Sequence, residues 1–110
     1  MADWGGYPVR FRDVLGREVL LSHAAWGHVL LRHPEVESHS GLVADTLRAP
    51  ERIVRSLHAD DVLLYYRFYE RLLGGKYLLV AARIEQEGWC VVTVYITDTV
   101  KSGEVLWLSR

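Results

Sequence analysis

From Arg52 onward the apolar residues recur at every second position, and this constrains the fold more than any other feature of the chain. Period-two alternation is what a strand with one buried face requires. Ile53–Leu57 reads as a short strand, and His58-Ala59-Asp60-Asp61 as the turn after it. Val62–Glu70 is a longer strand, with Leu64, Tyr66 and Phe68 on one face and Leu63, Tyr65, Arg67 and Tyr69 on the other. Gly74-Gly75 turns the chain into Lys76–Glu85, and Glu87-Gly88 turns it again into Trp89–Thr97. In that strand Cys90, Val92, Val94 and Ile96 read as one apolar face, and Val91, Thr93, Tyr95 and Thr97 as a mixed one. Asp98–Gly103 is a polar loop and Glu104–Leu108 a last edge strand. Consecutive strands joined by tight turns predict an antiparallel meander.

The first half follows other rules. Val9–Arg12 and Arg17–Leu21 form two short strands around Asp13-Val14-Leu15-Gly16, a loop of hairpin type. Ser22 then offers its hydroxyl as an N-cap for a helix over about 23–33. Pro34 disfavours the α conformation at His33 and stops that helix. At about 100° per residue Trp26, Val29, Leu30 and His33 make one stripe, while His28 points away beside Arg32. Glu35–Ser40 reads as a polar connector, and a second helix over about 41–49 buries Leu42, Val43 and Leu47 before Pro50. The expected fold is α+β: two N-terminal helices packed on a roughly four-stranded antiparallel sheet, with a short N-terminal β-hairpin. With 110 residues, half of them apolar, the expectation is a single domain over 1–110.

Composition narrows the function classes. A net charge of −1 gives no global attraction to nucleic acid or anionic membranes. The single cysteine, Cys90, forbids an internal disulfide, suits a reducing compartment and reads as core. No apolar run approaches the roughly 20 residues that span a bilayer. Met-Ala-Asp-Trp-Gly-Gly-Tyr lacks the basic and apolar regions of a signal peptide. The expected setting is cytoplasmic, without a membrane.

If the Leu64/Tyr66/Phe68 and Cys90/Val92/Val94/Ile96 faces meet the helices, the opposite face collects Tyr65, Arg67, Tyr69, Thr93, Tyr95 and Thr97. Lys76 or Tyr77 joins it according to the register across Gly74-Gly75. Guanidinium and hydroxyl donors hold a phosphate, and tyrosine rings stack on bases. The same residue types also fill an ordinary solvent face. His23, His28 and His33 lie five apart, so successive imidazoles turn by about 140° and cannot gather a metal on one helix face. No metal or other cofactor is expected.

Several local patterns together resemble one family. They are Trp26-x-His28-Val29, Arg32-His33-Pro34-Glu35, Leu64-Tyr65-Tyr66-Arg67, Lys76-Tyr77-Leu78-Leu79-Val80, Thr93-Val94-Tyr95-Ile96-Thr97-Asp98 and Lys101-x-Gly103-Glu104-x-x-Trp107. Their order and spacing, over about residues 17–107, resemble the phage-type barnase–EndoU–colicin–RelE-like nucleases, small domains of phage proteins and bacterial toxins. The resemblance implies two helices on a four-stranded sheet and metal-independent cleavage of RNA, commonly tRNA. The ribose 2′-OH would attack the adjacent phosphate and leave a 2′,3′-cyclic phosphate. Carried over by position, His33 or His28 would be the general base or acid. Arg67 and Lys76 would stabilise the phosphorane, and Thr97 or Tyr95 would hydrogen-bond the phosphate. Tyr65, Tyr95 and Thr93 would contact substrate. An inhibitor or immunity protein is the partner such a toxin would need, and the edge strand Glu104–Leu108 offers pairing to a second copy.

The alternatives are a non-catalytic nucleic-acid- or protein-binding module on the same fold, or a phage-associated structural protein using Trp4, Tyr7 and Trp107. One geometric criterion separates them. Convergence of His33, Arg67 and Thr97 within reach of one phosphate favours the enzyme, and residence on opposite faces of the sheet argues for dropping the enzyme reading.

Overall fold

The computed structural model describes residues 4–109. Met1–Asp3, part of the N-terminal stretch read above, and Arg110 lie outside them. The order is β1 (Val9–Arg12), β2 (Glu18–Leu21), α1 (His23–Arg32), a 3₁₀ segment (Pro34–His39), α2 (Gly41–Arg48), β3 (Arg52–Ser56), β4 (Val62–Tyr69), β5 (Lys76–Glu85), β6 (Gly88–Thr97) and β7 (Gly103–Leu108). The caps follow the local chemistry. Ser22 Oγ accepts from Ala25 N at 3.0 Å, and the His33 N–H closes α1 on Val29 O at 2.7 Å before Pro34. The connector expected to be merely polar is the 3₁₀ segment, with Pro34 at its first position.

The α+β class holds, but the sheet has seven strands in the order β1-β2-β6-β5-β4-β3-β7, larger than the four expected. The N-terminal hairpin joins it, because β2 runs parallel to β6 at Val19↔Trp89 and Leu20↔Cys90. β3 to β6 form the expected antiparallel meander. β7 does not pair with β6; it crosses to the far edge and pairs with β3. No helix among the described residues is long and apolar enough to cross a membrane.

The faces differ from the sequence reading. Leu63 and Tyr65 of β4, with Val80 of β5 and Val94 of β6, pack beneath the helices around Trp26, Val29, Val43 and Leu47. Leu64, Tyr66, Leu79 and Ala81 form a second apolar cluster on the outer face. Every residue from Val62 to Tyr66 is buried, so the alternation of β4 carries no inside–outside information. In β6 an irregularity opposite Ala81/Ala82 breaks the period. Val91 and Val94 both end on the helix side, and Val92 turns to the outer cluster. Cys90, read as core, is half-buried in a groove rather than under the helices.

Residues 98–102 lead from β6 to β7 across the outer face. Four strand spacings at about 4.8 Å make roughly 19 Å. Six Cα steps at about 3.3–3.6 Å give little more than that, so this strap is close to fully extended. Val100 accordingly packs into the outer cluster, and the Lys101 N–H donates to Tyr66 Oη at 3.1 Å. At Gly103 a Cβ would lie 2.6 Å from Val54 Cγ1 and overlap Arg55 O, so the strap can enter β7 there only on glycine.

One buried polar knot ties the hairpin to the sheet. The Asp13 carboxylate accepts from Leu15 N, Arg17 N and Arg17 Nε at 2.9, 2.8 and 2.9 Å, and from Tyr65 Oη at 2.7 Å. Burial alone would raise the Asp13 pKa; the bonds from Tyr65 and Arg17 outweigh it and hold the carboxyl below its usual range. Burial, and then Asp13, push the Tyr65 phenol well above its ordinary value.

Candidate active site

The register aligns Arg52, Tyr66, Leu79 and Tyr95 in one row across β3, β4, β5 and β6, all on the outer face. Tyr66 and Leu79 are the buried floor, while Arg52 and Tyr95 are half-exposed at its two ends. β6 has no strand beside it after Cys90, so the end of α1 lies along that open edge. His33 thereby reaches round to the outer face. Its imidazole stacks on Tyr95 with ring centroids 5.2 Å apart and planes at 34°. The strap brings Lys101 Nζ to 6.0 Å from the same ring centroid. Imidazole and ammonium therefore stand no farther apart than the total of 5.2 and 6.0 Å, about 11 Å. Glu35 Oε2 lies 3.8 Å from His33 Nδ1.

Tyr66 reports the local field. Burial raises its pKa, the Lys101 N–H opposes that rise, Tyr95 adds to it, and the charges of Lys101 and Arg52 lower it. The phenol therefore stays neutral and works as an acceptor for the strap. Among the described residues neither Lys101 nor Arg52 has a carboxylate partner within ion-pair distance. Two fixed cations, an imidazole and the Tyr95 phenol thus edge one face. This is a donor set suited to a phosphodiester.

Of the residues singled out from sequence, His33, Tyr95, Thr93 and Thr97 share this outer face. The Thr97 hydroxyl accepts from Thr99 N at 3.2 Å and so shapes the start of the strap. Arg67 is on the helix side, its guanidinium 5.2 Å from the Tyr69 ring centroid and its Nη1 3.4 Å from Ala49 O. Lys76 pairs across from Tyr69 and sits 3.8 Å from Asp98, in a recess that also holds Glu35 and Thr97. Tyr65 is fully buried and committed to Asp13, with no surface for substrate. His28 is exposed on α1, with Cys90 and Glu87 in a groove of about 740 Å³. His33, Arg67 and Thr97 therefore do not converge, because β4 turns its Arg67 face to the helices, and on this criterion the geometry counts against an enzyme built on that set.

Sequence reasoning missed Arg52, Tyr66 and Lys101 as one group. Lys101 lay within a quoted pattern, but only the crossover brings it back over the sheet. Among the described residues one group could offer metal ligands: Glu85, Glu87 and Cys90, whose ligand atoms lie within 4.8 Å of one another at the β5–β6 turn. Burial first, and then the two glutamates, raise the Cys90 pKa, which disfavours the thiolate a metal or a nucleophile needs.

No curated protein and no solved structure matches the chain. A family model does, over residues 1–107, which is nearly the whole length. Matched over almost all of its residues, the chain belongs to the phage-Barnase-EndoU-ColicinE5/D-RelE like nuclease 2 family.

Proposed function

We propose that the chain is a metal-independent endoribonuclease acting at the His33–Tyr95–Lys101 face. The observation that carries this is the His33 imidazole stacked on Tyr95 with the Lys101 ammonium at the same ring, in a member of a nuclease family. The 2′-OH attacks its own 3′-phosphate, the P–O5′ bond breaks, and a 2′,3′-cyclic phosphate and a 5′-hydroxyl result. His33 takes or returns the proton, a task for which imidazole suits neutral pH and which supplies about 10²–10⁴ in rate. Lys101 stabilises the charge on the phosphorane, and Arg52, at the far end of the row, holds a neighbouring phosphate of the same strand. The Tyr95 phenol and Thr93 contact the phosphate or ribose. A toxin role, tRNA as target and a cognate inhibitor protein accompany this reading as expectations of the family.

The test is incubation of wild type and His33→Ala with total tRNA in EDTA, reading the product ends. Cleavage by wild type alone, leaving cyclic phosphates, supports the assignment; equal cleavage by both removes His33 from the chemistry. A second reading, a nucleic-acid-binding module without catalysis, is favoured by the placement of Arg67 on the helix side, away from the His33 face. Binding of RNA without cleavage by wild type would support that one.

A further inference from the structure

Arg67, excluded from the His33 face, belongs to a different group. Its guanidinium covers the Tyr69 ring at 5.2 Å, and Arg48 at the end of α2 acts electrostatically on the same phenol. Arg71 and His39 line a recess of about 300 Å³ whose wall is Tyr69. Three arginines and a histidine thus stand around one tyrosine, and Asp45 is paired to Arg48. Arg67 and Arg71 have no carboxylate partner among the described residues. In a chain of net charge −1 this is a local concentration of positive charge around an aromatic ring. Guanidinium groups match phosphate oxygens.

The 3₁₀ segment runs along the chain from the proposed active site toward the cluster. It begins next to His33 and ends at His39. At about 2.0 Å per residue it spans roughly 12 Å. A single RNA strand a few nucleotides long reaches both ends.

We propose that the Arg48/Arg67/Arg71/His39 cluster around Tyr69 is a docking site for the RNA backbone, a few nucleotides away from the phosphate presented to His33. The proposal rests on the endoribonuclease reading for its substrate class. It accounts for RNA capture by a mildly acidic chain, since the cluster supplies the local attraction that net charge does not. Arg67 then contributes to binding from the helix side of the sheet rather than to the reacting phosphate.

The experiment uses the full-length His33→Ala protein with a labelled single-stranded RNA of about a dozen nucleotides, measured by fluorescence anisotropy over a salt series. Arg71→Gln and Arg67→Gln are each expected to weaken binding about fivefold at 0.1 M salt and to flatten the salt slope by about 0.7. Arg71 lies on an exposed turn, so Arg71→Gln alone carries the test if Arg67→Gln disturbs Tyr69. In the active protein Arg71→Gln should raise KM for long RNA while leaving kcat and dinucleotide cleavage unchanged. Unaltered affinity and slope in both variants overturn the proposal even if cleavage is observed. Loss of affinity in a wild-type background that cleaves nothing supports the docking site and refutes the nuclease reading instead.

Discussion

Tyr65 was a candidate substrate contact, and the structure makes it a stability residue, so Tyr65→Phe separates the two roles. The change deletes one hydroxyl that donates to a buried carboxylate at 2.7 Å and leaves the ring in place. Hydrogen bonds to charged groups contribute about 1.5–3 kcal/mol each. Asp13 retains three other bonds, from Leu15 N, Arg17 N and Arg17 Nε, so the low end applies, about 1.5–2 kcal/mol. Against a total stability of about 5–15 kcal/mol that is a large loss. It corresponds to a fall in Tm of roughly 6–10 °C for a domain of this size. Urea unfolding of wild type, Tyr65→Phe, Asp13→Asn and the double variant measures the coupling directly. A coupling of about 1 kcal/mol or more is expected, because the two groups share one bond. Coupling below about 0.5 kcal/mol, or lost RNA affinity with unchanged stability, would refute the assignment.

Other outcomes follow from the same contacts. The Asp13 carboxyl, held below its ordinary value of 3.8, contributes stability that is present above pH 3.8 and lost as the pH falls through the folded value; Asp13→Asn should flatten that acid limb in urea midpoints taken from pH 2 to 6. Tyr65 acts with the opposite sign: its raised pKa contributes below pH 10.0 and the contribution is lost above it. Gly103→Ala forces a methyl against Val54 and Arg55 and should cost about 1–3 kcal/mol, and an unchanged thermal melt would show that β7 shifts to accept it. Tyr66→Phe removes the acceptor of the Lys101 N–H, so hydrogen exchange at Lys101 should quicken with about 1 kcal/mol lost overall.

Much of the element order was legible because each boundary has a local cause. Ser22 caps α1, Pro34 ends it, and Gly74-Gly75 and Gly88 turn the strands, each with φ in the left-handed region at glycine. What was not legible depends on contacts between distant residues. β4 is apolar on both sides, so no periodicity could say which face the helices cover. The irregularity in β6 moves Val94 and Ile96 off the face of Cys90 and Val92 without any sequence signal. The pairing of β2 with β6, and of β7 with β3, joins segments far apart in the chain, and the sheet grew from four strands to seven through those two pairings. Of the site, His33 and Tyr95 were named but not as neighbours; the open edge of β6 makes them so.

The extended strap also orders the assembly of the molecule in time. Arg55 and Glu104, partners across β3 and β7, are 49 positions apart in the chain. Closing that interval from an unstructured chain costs about 3 kcal/mol in entropy before any contact is gained. Once the β3–β6 meander exists, only residues 98–102 need ordering, and a short taut segment seats β7 at little further cost. β7 can thus dock only after the β3–β6 meander has formed. Amides shared by β3 and β7 should lose protection before those of β5, which has a neighbour on either side.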